Sequence, residues 1–106
     1  MLHITLLCDN GMSTSMMVQR MQKCAADRGI EVDIMAVSVK AMKERLKVTD
    51  VLLLGPQIRY LISKMKAEYE PNGIAVADIA PMDYGRMNGE KVLDQALKLS
   101  EERKKS

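Results

Sequence analysis

Apolar residues in this chain follow two rhythms, and the rhythms alternate. Leu2, Ile4, Leu6 and Leu7 make the opening LHITLL almost continuously apolar, as in a strand buried on both faces. Gly11 breaks that run. From 14 to 28, Met17, Met21, Cys24 and Ala25 recur at spacings of three and four, which is the stripe of an amphipathic helix, and Gly29 supplies its stop. EVDIMAV at 31–37 alternates, with Val32, Ile34 and Ala36 on one face of a strand. Ser38 is placed to cap a short helix over 39–47. DVLLL at 50–54 reads as a second buried strand closed by Gly55-Pro56, and Ile58, Leu61, Ile62 and Met65 predict a helix over about 57–69. Pro71-Asn72-Gly73 is a turn, 74–79 a strand, and APMDYGRMNG a loop. A last helix over about 89–104 carries Val92, Leu93, Ala96, Leu97 and Ser100 inward, and its basic end suits the helix dipole.

The predicted order is βαβαβαβα. Strands alternating with helices give an α/β domain with a parallel sheet covered on both faces. The 106 residues suit one domain, 1–106, and show no linker or internal repeat. In such sheets ligands bind at the carboxyl ends of the strands. Cys8, Gly55-Pro56-Gln57 and Pro81-Met82-Asp83-Tyr84 all fall there.

Composition mainly excludes. Hydrophobic residues at 47% and charged residues at 28% are ordinary globular usage, not disorder. A net charge of +2, spread along the chain, does not point to nucleic acid. With no Trp, no Phe and three Tyr there is no stacking platform for single strands. No apolar run approaches the roughly 20 residues that span a bilayer, and the start lacks a basic leader. The expected location is therefore the cytoplasm, where cysteines are reduced thiols.

The chemistry concentrates in LLCDNGMSTSMM, residues 6–17. A strand runs into Cys8, then into Gly11 and three hydroxyl residues, Ser13, Thr14 and Ser15, as a helix begins. A tight loop opening a helix collects free backbone N–H groups, and the helix dipole adds positive character. Such sites bind phosphate. The same field favours thiolate over thiol, and a thiolate above a phosphate cradle can attack phosphorus to give S-phosphocysteine. Asp9 opposes this electrostatically, so its carboxylate is expected to point to solvent or to a partner's cation.

Two absences narrow the reaction. The only histidine, His3, lies five residues back on the same strand, roughly 16 Å away by strand rise, so Cys8 has no histidine base. His3 reads as a solvent-edge residue. Tyrosine phosphatases place an arginine six positions after their cysteine; here that position is Thr14. Without that cation, hydrolysis of a phosphocysteine loses a major electrostatic contribution. A loop that accepts phosphate and hydrolyses it poorly suits a carrier. Cys24 lies about 15 Å up the helix from Thr14, too far to bridge Cys8, and reads as helix core. The ten methionines read mostly as core filler, with Met12 and Met16 near the loop the candidates for an adaptable docking surface instead. His3 and two distant cysteines supply no metal-ligand spacing.

C-x-x-G-M-S-T-S after a first strand resembles the IIB components of the sugar phosphotransferase system, lactose/cellobiose/chitobiose family, and is most similar to the cellobiose and β-glucoside members. DVLLLGPQIRYL at 50–61 looks like the family's third strand and following turn, and DYGRMNGEKVLDQAL at 83–97 like its closing loop and last helix. The resemblance implies a three-layer α/β/α fold with a four-stranded parallel sheet of order 2-1-3-4, similar to low-molecular-weight tyrosine phosphatases. It implies that Cys8 takes a phosphoryl group from a phosphohistidine on a IIA partner. The group then passes to a β-linked disaccharide held by a membrane IIC subunit. Asp9, Asn10, Gly11, Met12, Ser13, Thr14 and Ser15 would cradle the phosphate, with Ser15 also a candidate helix cap. Gln57, Asp83 and Tyr84 would border the site or a partner surface. No cofactor is implied, and a monomer suffices. Asp9-Asn10 departs from the smaller residues that commonly follow the family's cysteine. The competing readings are a phosphatase or arsenate-reductase-like enzyme on the same fold, and an inert interaction module.

Overall fold

A computed structural model describes residues 1–8 and 12–105, apart from the side chains of residues 12, 13, 46, 104 and 105. Four parallel strands, β1 (Leu2–Cys8), β2 (Val32–Ser38), β3 (Val51–Leu54) and β4 (Ala75–Asp78), form one sheet of order β2-β1-β3-β4. The near-continuous apolar run of β1 is explained by its place. It pairs on both sides, Ile4 with Ile34 and Val51, Leu6 with Ala36 and Leu53.

The strand order dictates which helix lies on which face. Right-handed crossovers put the β1-to-β2 connection on one face and, because the direction across the sheet reverses, the next two connections on the other. The long helix α1 (Met12–Asp27) makes the first connection. The short α2 (Met42–Arg45) and α3 (Ile62–Tyr69) make the second and third. A five-residue α4 (Pro81–Gly85) leads into α5 (Gly89–Lys105), which returns beside α1. Ile4 and Leu6 accordingly pack with Met17, Met21, Val92, Leu93 and Ala96. Leu7, Leu52 and Leu54 pack with Met42, Ile58, Met65 and Tyr69 on the opposite face. Each fully buried side chain of this size contributes about 2 kcal/mol.

Several boundaries follow from single residues. Gly29 at φ +69° ends α1, with its N–H donating to the Ala26 carbonyl and that of Ile30 to the Ala25 carbonyl. Ser38 Oγ accepts the Ala41 N–H at 3.3 Å, so it does cap the turn into α2, although that helix is shorter than the predicted 39–47. The predicted helix over 57–69 is two pieces: a 3₁₀ segment, Pro56–Leu61, with a non-helical Ile58 (φ −120°, ψ 21°), and then α3. The loop predicted at 80–89 contains α4, which Pro81 starts at its first position.

His3 corrects the reading of it as a solvent-edge residue. It is half-buried, and its Nδ1 sits 2.9 Å from Asp33 Oδ2, its neighbour in the β1–β2 register. Arg45 Nη2 reaches the same carboxylate oxygen at 2.8 Å. Arg45 Nε donates to Thr5 Oγ1 at 2.9 Å, and the Thr49 hydroxyl donates to the Arg45 carbonyl at 2.8 Å. Thr49 has only one proton to give, so at 2.8 Å the Thr5 hydroxyl must be the donor to Thr49 Oγ1. The result is a closed ring of hydrogen bonds through two buried threonines, near the amino end of the sheet.

Candidate functional site

Cys8 is the last residue of β1 and is 6% exposed. Its thiol lies 3.5 Å from the Val37 carbonyl, and its strand partner is Ser38. β1 is where the chain's path across the sheet reverses: β2 lies to one side and β3 to the other. The crevice at such a switch point opens at the carboxyl ends of the two strands that flank it. Here those ends are Cys8 of β1 and Gly55 after β3, and the Gly55 N–H donates to the Leu7 carbonyl at 3.1 Å.

α1 starts at Met12, four positions after Cys8. A helix leaves its first N–H groups without intrahelical partners, so the amides at the start of α1 are donors for an anion. No acidic side chain lies in its first turn. Asp9, Asn10 and Gly11, read from the sequence as part of the phosphate cradle, lie outside the described residues, as do the side chains of Met12 and Ser13. Ser15 lies inside the first turn of α1 and so does not occupy the cap position. It is exposed, at the head of a groove of about 310 Å³ between α1 and β2 that Val18, Gln22, Ile34 and Met35 also line.

Thr14 is turned inward, 2% exposed, and its Oγ1 is 2.9 Å from the Tyr84 hydroxyl. Tyr84 sits on α4, 6% exposed, with its ring beside Gly55. A methyl group on Gly55 would stand 3.1 Å from Gln57 Oε1 and 3.8 Å from the Tyr84 ring. The fold therefore gathers Gln57 and Tyr84 at the end of β3, next to the strand that carries Cys8. Asp83 lies in the first turn of α4, half-buried, and its carbonyl accepts the Asn88 N–H at 2.9 Å. The Thr14–Tyr84 pair is the feature that sequence reasoning missed. The two residues are 70 positions apart, and neither helix pattern announces the other.

Several large apolar side chains lie exposed in the segments that follow the strands. Met16 follows β1, Val39 and Val48 follow β2, Tyr60 follows β3 and Met82 follows β4. Both cysteines are free, and Cys24 is half-buried against the α1–α5 core. Among the described residues no group of His, Cys, Asp and Glu is gathered as metal ligands would be, and no helix is long and apolar enough to cross a membrane.

A family model described as "PTS system, Lactose/Cellobiose specific IIB subunit" matches residues 3–95. The oligo-beta-mannoside-specific EIIB component of Bacillus subtilis (strain 168) is 40% identical over 96 residues, covering 91% of this chain and 93% of that protein. The cellobiose-specific EIIB component of Lactococcus lactis subsp. lactis (strain IL1403) is 42% identical over 98 residues, covering 88% and 91%. In the solution structure of the cellobiose-specific phosphotransferase IIB component from Borrelia burgdorferi, the same fold recurs with a TM-score of 0.81 at 39% identity, over 96% of this chain and 94% of that one.

Proposed function

The chain belongs to the lactose/cellobiose-specific IIB family of the sugar phosphotransferase system, and from that premise we propose that Cys8 is its phosphoryl carrier. The observation that carries the reading is the thiol's place: it ends the strand at the switch point, four positions before the start of α1. IIB components work with IIA and IIC partners, and each step here has a role for one of them. In the first step the Cys8 thiolate attacks the phosphorus of a phosphohistidine on IIA. An S–P bond forms, the N–P bond breaks, and the released imidazole nitrogen takes up a proton. In the second step a hydroxyl of a sugar held by IIC attacks the same phosphorus. An O–P bond forms, the S–P bond breaks, and the hydroxyl proton is lost to solvent or to a base on IIC.

Backbone N–H groups from Asp9 to Ser15 hold the phosphoryl oxygens in this account, and the side chains of Ser13 and Ser15 add donors. Charge that develops on those oxygens in the transition state is met by fixed amides rather than by a cation. That suits transfer between partners, because the group is held without being driven toward water. Met16, Val39, Tyr60 and Met82, exposed in the segments after the four strands, offer a partner apolar side chains to dock on in this account.

The sugar we assign is a β-linked disaccharide of the cellobiose type. Relatives at 40% and 42% identity are named for two different sugars, oligo-β-mannoside and cellobiose. Sugar choice therefore rests with IIC more than with this chain. The test is phosphoryl transfer from phosphoenolpyruvate through the general carriers and a IIA, read by intact mass. Wild type gains one phosphoryl group and Cys8→Ser gains none. No adduct on wild type from two different phosphorylated IIA proteins would contradict the assignment.

A further inference from the structure

The contact between Thr14 and Tyr84 does more than bury two residues. Both side chains sit against the core, and a valine and a phenylalanine would fill the same space. Replacing both partners of a buried hydrogen bond with apolar groups of the same shape is close to neutral for stability. Among the described contacts, the two hydroxyls add a fixed distance, 2.9 Å, between α4 and the third residue of α1.

The segment that carries Tyr84 is itself held firmly. Met87 N–H donates to the Tyr84 carbonyl at 3.0 Å, and Met87 is the one non-glycine with positive φ (52°) among the described residues. That conformation is uncommon outside glycine, Asn and Asp, and it persists where the surroundings impose it. Asn88 Oδ1 accepts the Lys91 N–H at 3.1 Å and caps α5. Gly89 packs so closely on α1 that a methyl there would lie 2.8 Å from the Arg20 carbonyl carbon and 2.9 Å from the Met21 nitrogen. The segment therefore grips α1 at two places, Gly89 on Arg20 and Tyr84 on Thr14. Its third hold is on the sheet, where the Tyr84 ring meets Gly55 at the end of β3.

We propose that Tyr84 is a positioning residue for phosphoryl transfer: through Thr14 it sets where the first turn of α1 stands relative to Cys8. The proposal rests on the carrier reading of Cys8. The strand end supplies the sulfur and the start of α1 supplies amide donors, so their separation decides how well the amides meet the transferring group. Small misplacements are costly in such an arrangement, because the donors must sit at the position that charge will occupy. Tyr84 does this through its hydroxyl's contact with Thr14.

The test compares single-turnover transfer from phosphorylated IIA to wild type, Tyr84→Phe, Thr14→Val, the double variant and Thr14→Ser. Losing one neutral hydrogen bond's worth of positioning slows transfer by about three- to tenfold. We expect that loss in the rate at saturating IIA for Tyr84→Phe and for Thr14→Val, with the half-saturating IIA concentration unchanged. The double variant is no slower than either single, and Thr14→Ser, which keeps the hydroxyl, recovers most of the rate. A Tyr84→Phe protein that transfers at the wild-type rate overturns the proposal, and so does a change confined to the half-saturating concentration, which would make Tyr84 a docking residue. Losses that multiply in the double variant also overturn it. Wild type that accepts no phosphoryl group at all would instead overturn the carrier reading beneath it.

Discussion

The two ends of the sheet use polar groups in opposite ways. Near the amino end they are consumed internally. Thr5, Thr49 and Arg45 close a ring of hydrogen bonds, Arg45 and His3 share Asp33, and Asp50 takes the His3 N–H at 2.8 Å and Arg103 at 3.3 Å. At the carboxyl end one hydrogen bond is described for Cys8, to a carbonyl at 3.5 Å, and α1 begins four positions later with amides that have no intrahelical partner. One end of the same strand is knit into a hydrogen-bond network, and the other is the end we propose for phosphoryl exchange. β1 spans both, and its periodicity shows neither difference.

Variants can separate these roles. The largest stability effect is expected from Arg45→Ala. It strips the donor from buried Thr5 and leaves Asp33 with His3 alone, at a cost of about 3 kcal/mol in denaturant unfolding. Phosphoryl transfer per folded molecule stays at the wild-type rate; a loss of transfer without a loss of stability would erase the division. Gly89→Ala comes next, at about 2 kcal/mol, because its methyl meets Arg20 backbone that cannot yield. It should also slow transfer, since it shifts the segment that carries Tyr84. A destabilised Gly89→Ala protein with full transfer would show that segment and site to be uncoupled.

Asp33 supplies a pH-dependent version of the comparison. The Arg45 guanidinium first, and then His3, hold its carboxyl below the ordinary value of 3.8. A lowered folded-state value means that Asp33 lends its stability above 3.8 and loses it as pH falls through the folded value. Urea unfolding of wild type and Asp33→Asn should therefore differ most at neutral pH and converge in acid, and a gap that widens in acid would reverse the sign. The smallest effect belongs to Ser38→Ala, about 0.5 kcal/mol, for an exposed cap at 3.3 Å.

How legible each part was follows from how far apart its partners lie in sequence. The strands announce themselves through runs and alternation a few residues long, and Gly29 announces the end of α1. The 3₁₀ segment Pro56–Leu61 passed for the start of α3 because a spacing of three, Ile58 to Leu61, suits both windings. α4 reads as loop in the sequence because it is only five residues long, opening on Pro81 and closing on Gly85. Cys8 stood out because strand, thiol, glycine and hydroxyls are adjacent. The pairs His3–Asp33, Arg45–Thr5 and Thr14–Tyr84 were hidden, at separations of 30, 40 and 70 positions that only the parallel register and the return of the chain bring together.

The central claim is that the carboxyl end of β1 takes the phosphoryl group and the amino end does not. The most direct measurement is alkylation of the IIA-phosphorylated protein, followed by peptide mapping. Phosphorylation should protect Cys8 from the reagent and leave Cys24 as reactive as before, with the adduct on the Cys8 peptide. A phosphorylated protein whose Cys8 alkylates as readily as in the unmodified chain, or an acid-labile adduct on His3, would contradict the account.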